Sequence, residues 1–408
     1  MRVEVVAVGT ELLLGDIVNS NAGEIGRALA EAGLDCHHHV SVGDNEERIA
    51  EALATALARA DAVVVTGGIG PTQDDVTREA VTRATGRALV RDPAIERWLR
   101  ERFASFGLPM PEMNLRQADV PEGATVIEQR LGTAPGLIVP HGNGVIYCIP
   151  GVPREMREML ARAVLPDLRA RAGEVSPIVT RVIRTAGVGE SGVADTLRPL
   201  WDGIDDRVRL SFLAGGGEVR VRLTARATDA DAVEQTTLLV REALGVAVVG
   251  VDDQTLEVVV GELLRARSWT LGAAESLTGG ALGARVTSVP GASDYFRGSV
   301  VAYANDVKHA ALGVPAALLE EHGAVSAEVA RAMAAGARAV LGCDVAVALT
   351  GVAGPAALGR EPGTVVLGLS RAAGEDHREL RLPGDRETVR QLAVSAGLNF
   401  VRLALLEA

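Results

Sequence analysis

Cysteine is scarce in this 408-residue sequence, and its few copies are scattered. Cys36, Cys148 and Cys343 are too far apart along the chain to form a CxxC metal site, and they do not make a disulfide framework. This pattern is typical of proteins in a reducing compartment. We therefore expect a cytoplasmic protein in which the cysteines are small core side chains.

The sequence also shows no targeting segment and has no net positive charge. The opening residues, MRVEVVAVGT, lack the basic start and the apolar block of a secretory signal. No apolar stretch approaches the ~20 residues that span a bilayer, so we expect no membrane partner. The net charge is −12 and no basic stripe compensates for it, which disfavours a polyanionic partner such as DNA. We predict no nucleic-acid partner, and small-molecule nucleotides as the ligands.

Length and pattern predict three domains, because 408 residues exceed what one compact core accommodates. Residues 1–172 alternate strands and helices around the β-branched run DAVVVTGG, which is typical of a central parallel strand. This part predicts a doubly wound sheet with ligands at the carboxyl ends of its strands. Residues 173–251 predict strand, helix, two strands joined at Gly215–Gly217, helix and strand. Residues 252–408 restart an α/β pattern.

A glycine-rich segment follows the central strand of the first domain. Its residues suited to phosphate are Thr66, Gly67, Gly68, Gly70 and Thr72. The glycines let backbone N–H groups turn towards phosphate oxygens, and the threonines add hydroxyl donors. Asp74 and Asp75 would hold a hard divalent cation beside such a phosphate. A simple glycine turn before a capped helix needs the same residues, so both interpretations stand.

In the last domain a serine stands at a similar place. Ser276 follows the predicted strand Trp269–Ala274 and is expected to open a helix that begins with Gly279 and Gly280. Free N–H groups at such a helix start bind a phosphate or a developing oxyanion. The alternative is that Ser276 is an ordinary helix N-cap.

Lysine is almost absent, since Lys308 is the only lysine among 41 basic residues. It lies five residues after Tyr303, where a strand passes into a helix. A guanidinium does not deprotonate, whereas a desolvated ammonium can serve as a general base. This favours Lys308 as the base for Ser276, with chance placement as the alternative.

The middle domain carries one further motif. Gly189-Glu-Ser-Gly192 lies between a strand and a helix and is similar to the GXXG loop of KH modules. Glu190 puts a negative charge where a phosphate backbone would run. We therefore interpret the loop as a helix N-terminus in a spacer or oligomerisation domain.

The N-terminal motifs resemble the molybdopterin-binding-like domain of the competence/damage-inducible protein A (CinA) family. They occur in the same order: Gly9–Gly15, Asn19–Asn21, Thr66–Asp75, Gly132–Gly136 and Pro150–Pro153. The resemblance implies metal-dependent ADP-ribose pyrophosphatase activity with the diphosphate on the Thr66–Gly70 loop. It also implies a divalent cation of the Mg, Mn or Co class, held by Asp74 or Asp75 with Glu11 and Asp44.

The C-terminal motifs AES-x-TGG, Y-x-N-x-x-K, GAVS-x-E and TG-x-AGP resemble the nicotinamide mononucleotide deamidase domain of the same family. The resemblance implies that Ser276 attacks the carboxamide, that Lys308 and Tyr303 transfer protons, and that no cofactor is needed. The implied substrate contacts are Thr278, Gly279, Gly280, Asn305, Thr350, Gly351 and Gly354.

Two positions depart from the family pattern. Leu277 replaces the usual cysteine and is expected to pack inward. The family turn usually reads Gly-Pro-Asp-Gly-Gly, whereas here Pro355 is followed by Ala356-Ala357-Leu358, which is expected to weaken substrate binding.

The predicted fold class is α/β, with two three-layer α/β domains joined by a small KH-like α+β domain. The predicted function is a bifunctional enzyme of pyridine-nucleotide recycling, and a homodimer is expected because closed twofold oligomers are commonest. Two alternatives are a pterin- or nucleotide-binding protein with little catalysis, and an adaptor in competence or DNA-damage responses.

Overall fold

The computed structural model of the chain describes residues 1–173, 176–354 and 360–407. Residues 1–179 and 226–228 form one unit, and residues 180–225 and 229–408 form a second.

A six-stranded sheet of order β2-β1-β3-β8-β7-β6 organises the first unit. The strands of this unit are β1 (Arg2–Val8), β2 (Asp35–Val42), β3 (Ala62–Thr66), β4 (Leu89–Arg91), β5 (Asp119–Pro121), β6 (Thr125–Ile127), β7 (Gly136–His141) and β8 (Gly144–Ile149). Strands β2, β1, β3 and β8 are parallel, whereas β7 and β6 are antiparallel, so the sheet is mixed at one edge. Strands β4 and β5 form a separate antiparallel pair.

Helices cover both faces of this sheet. They are α1 (Thr10–Leu14), α2 (Ser20–Glu31), α3 (Glu46–Leu57), α4 (Thr77–Thr85), α5 (Pro93–Ser105), α6 (Pro153–Met159) and α7 (Leu165–Ala172), with one π-helical turn between the last two. Alternate residues of the central strand enter different cores: Val63 and Val65 pack on one face, Ala62 and Val64 on the other. This two-sided burial explains the unbroken apolar run in the sequence.

A four-stranded sheet of order β10-β11-β9-β12 forms the small α+β domain. Its elements are β9 (Ile178–Ala186), α8 (Glu190–Leu197), β10 (Arg209–Gly215), β11 (Glu218–Arg226), α9 (Ala230–Leu244) and β12 (Val248–Val251). As predicted, a hairpin turns at Gly216 and Gly217, where both φ angles are positive (62° and 84°).

The last domain contains a five-stranded sheet of order β14-β13-β15-β16-β17. Its strands are β13 (Leu271–Glu275), β14 (Phe296–Val301), β15 (Val345–Gly351), β16 (Thr364–Arg371) and β17 (Gly374–Arg381). Its helices are α10 (Leu256–Arg267), α11 (Ala281–Thr287), α12 (Asn305–Leu312), α13 (Ala316–His322), α14 (Ala327–Leu341) and α15 (Arg386–Leu406). Strands β14, β13 and β15 are parallel, and β16 and β17 are antiparallel.

Two side chains of helix α15 bond the small α+β domain. The buried guanidinium of Arg402 in α15 donates to the carbonyl oxygens of Val246 (2.7 Å) and Val248 (2.9 Å). The hydroxyl of Ser395, on the same helix, donates to the carbonyl of Gly216 at the hairpin tip. Among the residues that the structure describes, helix α15 is the one helix long and apolar enough to cross a membrane by length and composition, but 67% of the relevant window is buried, as in the core helix of a globular domain.

Candidate active sites at two sheet edges

Ser276 lies at the carboxyl end of β13, the middle one of three parallel strands. Its N–H donates to the carbonyl of Leu349 in β15 (2.9 Å). The carbonyl of Glu275 accepts the N–H of Ala302, just beyond β14 (2.8 Å). Because parallel strands end at one edge of a sheet, this edge gathers Ser276, the residues that follow β14 and the end of β15.

The helix after Ser276 begins later than the sequence predicts. Helix α11 starts at Ala281, because Gly279 and Gly280 both take positive φ angles (61° and 97°) in a turn. The carboxylate of Glu275, 0% exposed, satisfies the helix start in place of Ser276. It accepts hydrogen bonds of 2.7 to 3.0 Å from the N–H groups of Gly280, Leu282 and Gly283 and from the hydroxyl of Ser299. Ser276 is therefore not a helix N-cap.

The unused backbone donors are those of Leu277 and Thr278. The predicted donors at Gly279 and Gly280 are engaged, since Gly279 N–H donates to Ser276 O (3.2 Å) and Gly280 N–H to Glu275. Throughout the described ranges, the N–H groups of Leu277 and Thr278 have no acceptor, and the buried hydroxyl of Thr278 has no partner. This turn therefore has three donors without a partner in the described chain, all on buried residues. Leu277 itself packs into the core, as predicted.

Lys308 is a buried amine without a counter-ion. Its side chain is 1% exposed, and its Nζ donates to the main-chain carbonyl of Tyr303 (2.8 Å). No carboxylate forms an ion pair with it among the residues that the structure describes. Burial lowers the pKa of Lys308 below the usual value of 10.5, because the charged form loses its hydration. The amine is thus easier to deprotonate than an exposed lysine.

Tyr303 binds the amine of Lys308 only through its main-chain carbonyl. Its side chain is 58% exposed, and its hydroxyl accepts a hydrogen bond from Nη2 of Arg386 (2.9 Å). The hydroxyl of Tyr303 forms no hydrogen bond with Lys308 in the described chain, so its implied part in proton transfer stays a prediction. Asn305, the first residue of α12, is exposed and faces no hydrogen-bond partner in the described chain.

Arg386 and Arg390 are site residues that the sequence analysis missed. They lie one turn apart at the start of α15. Arg390 donates to the carbonyls of Leu277 (3.2 Å) and Thr278 (2.9 Å), which fixes the turn after Ser276. Because the chain contains many arginines, these two are not conspicuous in the sequence. Only their positions just after the N-cap Asp385 could have suggested a role.

Two predicted substrate contacts have structural partners instead. The hydroxyl of Thr350 donates to the carbonyl of Ala324 (2.7 Å). A Cβ at Gly351 would lie 2.6 Å from the carbonyl oxygen of Thr364, so glycine is required for strand pairing there.

Gly354 remains beside the site. A Cβ at Gly354 would lie 3.4 Å from Nη1 of Arg386. The departure at Ala356-Ala357-Leu358 lies outside the described residues.

A cleft of about 470 Å³ opens at the carboxyl ends of β1, β3 and β8 in the first unit. Residues predicted for phosphate or metal that line it are Glu11, Asp44, Gly67, Gly68, Gly70, Asp74 and Asp75. The conformation of its loop depends on glycine: Gly67 has φ +103°, and a Cβ there would lie 2.2 Å from the carbonyl oxygen of Val8. Buried Arg78 donates to the carbonyls of Ile69 and Gly70 and so fixes the loop from behind.

The two threonines predicted to bind phosphate use their hydroxyl protons within the protein. Thr66 Oγ1 donates to the carbonyl of Pro150 (3.0 Å) and is buried. Thr72 Oγ1 donates to Asp75, whose Oδ2 also accepts the Thr72 N–H (2.9 Å). The structure therefore corrects the prediction for both hydroxyls, and Asp75 acts as a turn cap.

The carboxylates of the cleft differ in their engagement. Asp44 Oδ2 accepts the N–H of Thr10 (2.7 Å), whereas the carboxylate of Glu11 forms no hydrogen bond or ion pair with the described residues. Hydrogen bonding within its turn holds the pKa of Asp74 below its usual value. Across the described ranges, no three His, Cys, Asp or Glu side chains are arranged to hold a metal ion. Mg²⁺ commonly takes one or two carboxylates and completes its shell with water and substrate phosphates, so Glu11 and Asp74 fit a metal shared with substrate.

Comparisons with known proteins agree with this architecture. Residues 4–170 match the probable molybdopterin binding domain, residues 180–250 the damage-inducible protein CinA KH domain, and residues 253–405 the CinA C-terminal domain. These matches define a class of protein with mixed α/β sheets in two large domains and a KH-like domain between them, which confirms the predicted fold class.

The relatives cover nearly the whole chain. The CinA-like protein of Frankia casuarinae is 49% identical over 99% of this chain and 96% of its own length. The putative competence-damage inducible protein of Moorella thermoacetica is 44% identical over 98% of this chain and 97% of its own. A crystal structure of the protein CinA with unknown function from Thermoplasma acidophilum, 34% identical, covers 41% of this chain and 97% of its own at a TM-score of 0.39. The chain belongs to the CinA family.

Proposed function

We propose that the C-terminal domain is a serine amidohydrolase that converts nicotinamide mononucleotide to nicotinate mononucleotide and ammonia. One observation carries the proposal: the single lysine of the chain is buried, without a counter-ion, at the sheet edge where Ser276 lies. Such an amine is costly unless it loses its proton readily, which is the property that a general base needs.

The residues of this edge account for each step. Ser276 Oγ attacks the carboxamide carbon and its proton passes to the neutral amine of Lys308. The resulting oxyanion accepts hydrogen bonds from the N–H groups of Leu277 and Thr278, each such donor contributing roughly 3–4 kcal/mol. The C–N bond breaks as Lys308 returns the proton and ammonia leaves. Water then cleaves the acyl-enzyme ester, releases the carboxylic acid and restores Ser276.

The proposed substrate also carries a 5′-phosphate, and this sheet edge has a cation that can bind it. Arg386 is an exposed cation beside Gly354 and Tyr303 at the same edge. One guanidinium group can donate two parallel hydrogen bonds to the oxygens of a phosphate. We infer that Arg386 binds the 5′-phosphate, while Arg390 positions the nucleophile turn.

Ammonia release from nicotinamide mononucleotide by the full-length chain tests this proposal. We expect Ser276→Ala and Lys308→Arg to lower kcat by at least roughly a thousandfold. Ser288→Ala is the matched control, because this exposed serine bonds only its own helix at Arg285. Equal ammonia release by wild type and Ser276→Ala would leave a ligand-binding protein as the better interpretation.

We also propose that the N-terminal cleft hydrolyses ADP-ribose to AMP and ribose 5-phosphate with a divalent cation. The supporting observation is a cleft lined by a backbone loop that only glycine can form and by a carboxylate, Glu11, without a protein partner. Glu11 and Asp74 would hold the cation, which supplies charge neutralisation and acidifies a bound water. The loop N–H groups bind and orient the diphosphate.

AMP formation from ADP-ribose tests this second activity. We expect it to require added Mg²⁺, Mn²⁺ or Co²⁺ and to fall at least roughly tenfold in Glu11→Gln and in Asp74→Asn. Asp16→Asn is the control, since Asp16 is exposed and does not line the cleft. Binding of ADP-ribose or a pterin without turnover would favour a carrier or sensor role.

A further inference from the structure

A further carboxylate, outside the predicted set, lines the N-terminal cleft. Glu155 lies in the first turn of α6. The chain just before this helix packs directly on the phosphate loop, because a Cβ at Gly151 would lie 3.3 Å from the Cα of Gly67. The start of α6 therefore brings Glu155 into the cleft next to the loop that is proposed to hold the diphosphate.

The carboxylate of Glu155 is held in one orientation. Its Oε2 accepts a hydrogen bond from Nε2 of Gln129 (2.6 Å). Gln129 is buried, and its amide cannot flip, because its Oε1 accepts the N–H of Leu131 (2.9 Å) while Nε2 also donates to the carbonyl of Ala134 (3.1 Å). Gln129 thus acts as a fixed donor to a single carboxylate oxygen.

The whole carboxyl group of Glu155 lies against Gly132. A Cβ at Gly132 would lie 2.5 Å from Oε1 and 2.6 Å from Oε2, so the glycine leaves the space that this group occupies. No arginine, lysine or histidine forms an ion pair with Glu155 within the described part of the chain. Half-buried and without a counter-ion, the carboxylate has its pKa raised by desolvation.

We propose that Glu155 is the general base of diphosphate hydrolysis in this cleft, an inference that rests on the proposed N-terminal activity. Oxygen of a water molecule forms a new bond to one phosphorus of the diphosphate while the bond from that phosphorus to the bridging oxygen breaks. The water proton passes to the carboxylate of Glu155. The bridging oxygen keeps the electron pair of the broken bond and leaves on the second phosphate monoester.

The experiment measures AMP formation from ADP-ribose by the full-length chain with saturating Mg²⁺. Glu155→Gln keeps the side-chain shape and can still accept the hydrogen bond of Gln129. We expect its kcat to fall roughly 10²- to 10⁴-fold, with KM within about threefold of wild type. Glu158→Gln is the matched control, because Glu158 lies on the same helix outside the cleft and pairs with Arg162.

A second variant separates proton transfer from structure. Glu155→Ala leaves a gap beside Gly132 that formate can fill. We expect added formate to raise the kcat of this variant at least tenfold. If the carboxylate of Glu155 were only structural, free formate would not restore activity to Glu155→Ala. Wild-type kcat in Glu155→Gln, a loss confined to KM, or no formate rescue overturns the role of Glu155 while the proposed activity stands. Absence of AMP formation by the wild type overturns both.

Discussion

The ammonium nitrogen of Lys308 lies 2.8 Å from the main-chain carbonyl oxygen of Tyr303, its one hydrogen bond within the described part of the chain. The carbonyl orients the amine but carries no charge to neutralise it. A buried, unpaired ammonium costs free energy that a neutral amine does not. The fold at this sheet edge therefore makes Lys308 easier to deprotonate than an exposed lysine, and the deprotonated amine is the form that accepts a proton from a serine.

Replacing Lys308 with methionine should stabilise the protein while abolishing amidase activity. The pKa of Lys308 is lowered in the folded state, so the folded protein binds the proton less tightly than the unfolded chain. At pH 7 the wild type carries this penalty, which shrinks as pH rises towards the unfolded value of about 10.4. We expect Lys308→Met to have a higher free energy of unfolding than wild type at pH 7, with the gain lost as the pH rises towards the unfolded pKa. Urea denaturation across this pH range checks it, and a less stable variant at pH 7 would contradict it.

The buried carboxylate of Glu275 should be needed in its charged form. Its Oε2 accepts two N–H groups, and its Oε1 accepts one N–H group and the Ser299 hydroxyl. Glu275→Gln must place its amide NH₂ against at least one of these N–H donors, which leaves that donor unsatisfied. We expect a loss of roughly 1–3 kcal/mol in the free energy of unfolding and a slower amidase. As a control, Glu262→Gln changes an exposed carboxylate in α10, and its free energy of unfolding should stay within about 0.5 kcal/mol of wild type.

Arg386 should affect substrate binding through the phosphate alone. We expect Arg386→Ala to raise KM for nicotinamide mononucleotide about tenfold, equivalent to ~1.4 kcal/mol, with little change in kcat. Nicotinamide riboside lacks the phosphate, so its kcat/KM should be the same in wild type and variant. Steady-state kinetics on the two substrates make the comparison. An equal loss on both would assign Arg386 to the support of Tyr303 instead.

Local signals made much of this fold predictable from the sequence. The helix Ala327–Leu341 is bounded by Ser326, whose hydroxyl accepts the N–H of Val329, and by Gly342 in the left-handed conformation. The predicted hairpin at Gly215–Gly217 also formed. In both cases a few neighbouring residues determine where the element starts or turns. Strand β17 cannot be predicted in this way, because its residues are mostly polar and exposed and the alternation that marks a half-buried strand is absent.

The sites were harder to predict than the fold, because their contacts join distant parts of the chain. The sequence placed Ser276 and Lys308 at one sheet edge through their positions after parallel strands. It could not show that Glu275 would cap α11, since that depends on how the Gly279–Gly280 turn folds back. Contacts such as Arg390 with Thr278 or Glu155 with Gln129 leave no periodic trace in the sequence.

The phosphate loop should fail when Gly67 gains a side chain. A Cβ at this position would lie 2.2 Å from the Val8 carbonyl oxygen, and φ of +103° disfavours any L side chain. Gly107 offers a matched control, since its φ is also positive (+71°) but a Cβ there meets no atom within 4 Å. We expect Gly67→Ala to abolish AMP formation and to cost several kcal/mol of stability in the first unit, against about 1 kcal/mol for Gly107→Ala.

Ammonia release measured on the same preparation shows whether this loss is confined to the N-terminal cleft. The amidase residues belong to the second unit and to a separate core, so Gly67→Ala should keep its wild-type rate of ammonia release. Loss of both activities, with unfolding of the whole chain in a single transition, would show instead that the two units depend on each other for stability. Retained AMP formation in Gly67→Ala would remove the loop from the diphosphate site, because the backbone geometry that binds phosphate cannot survive the displacement of Val8.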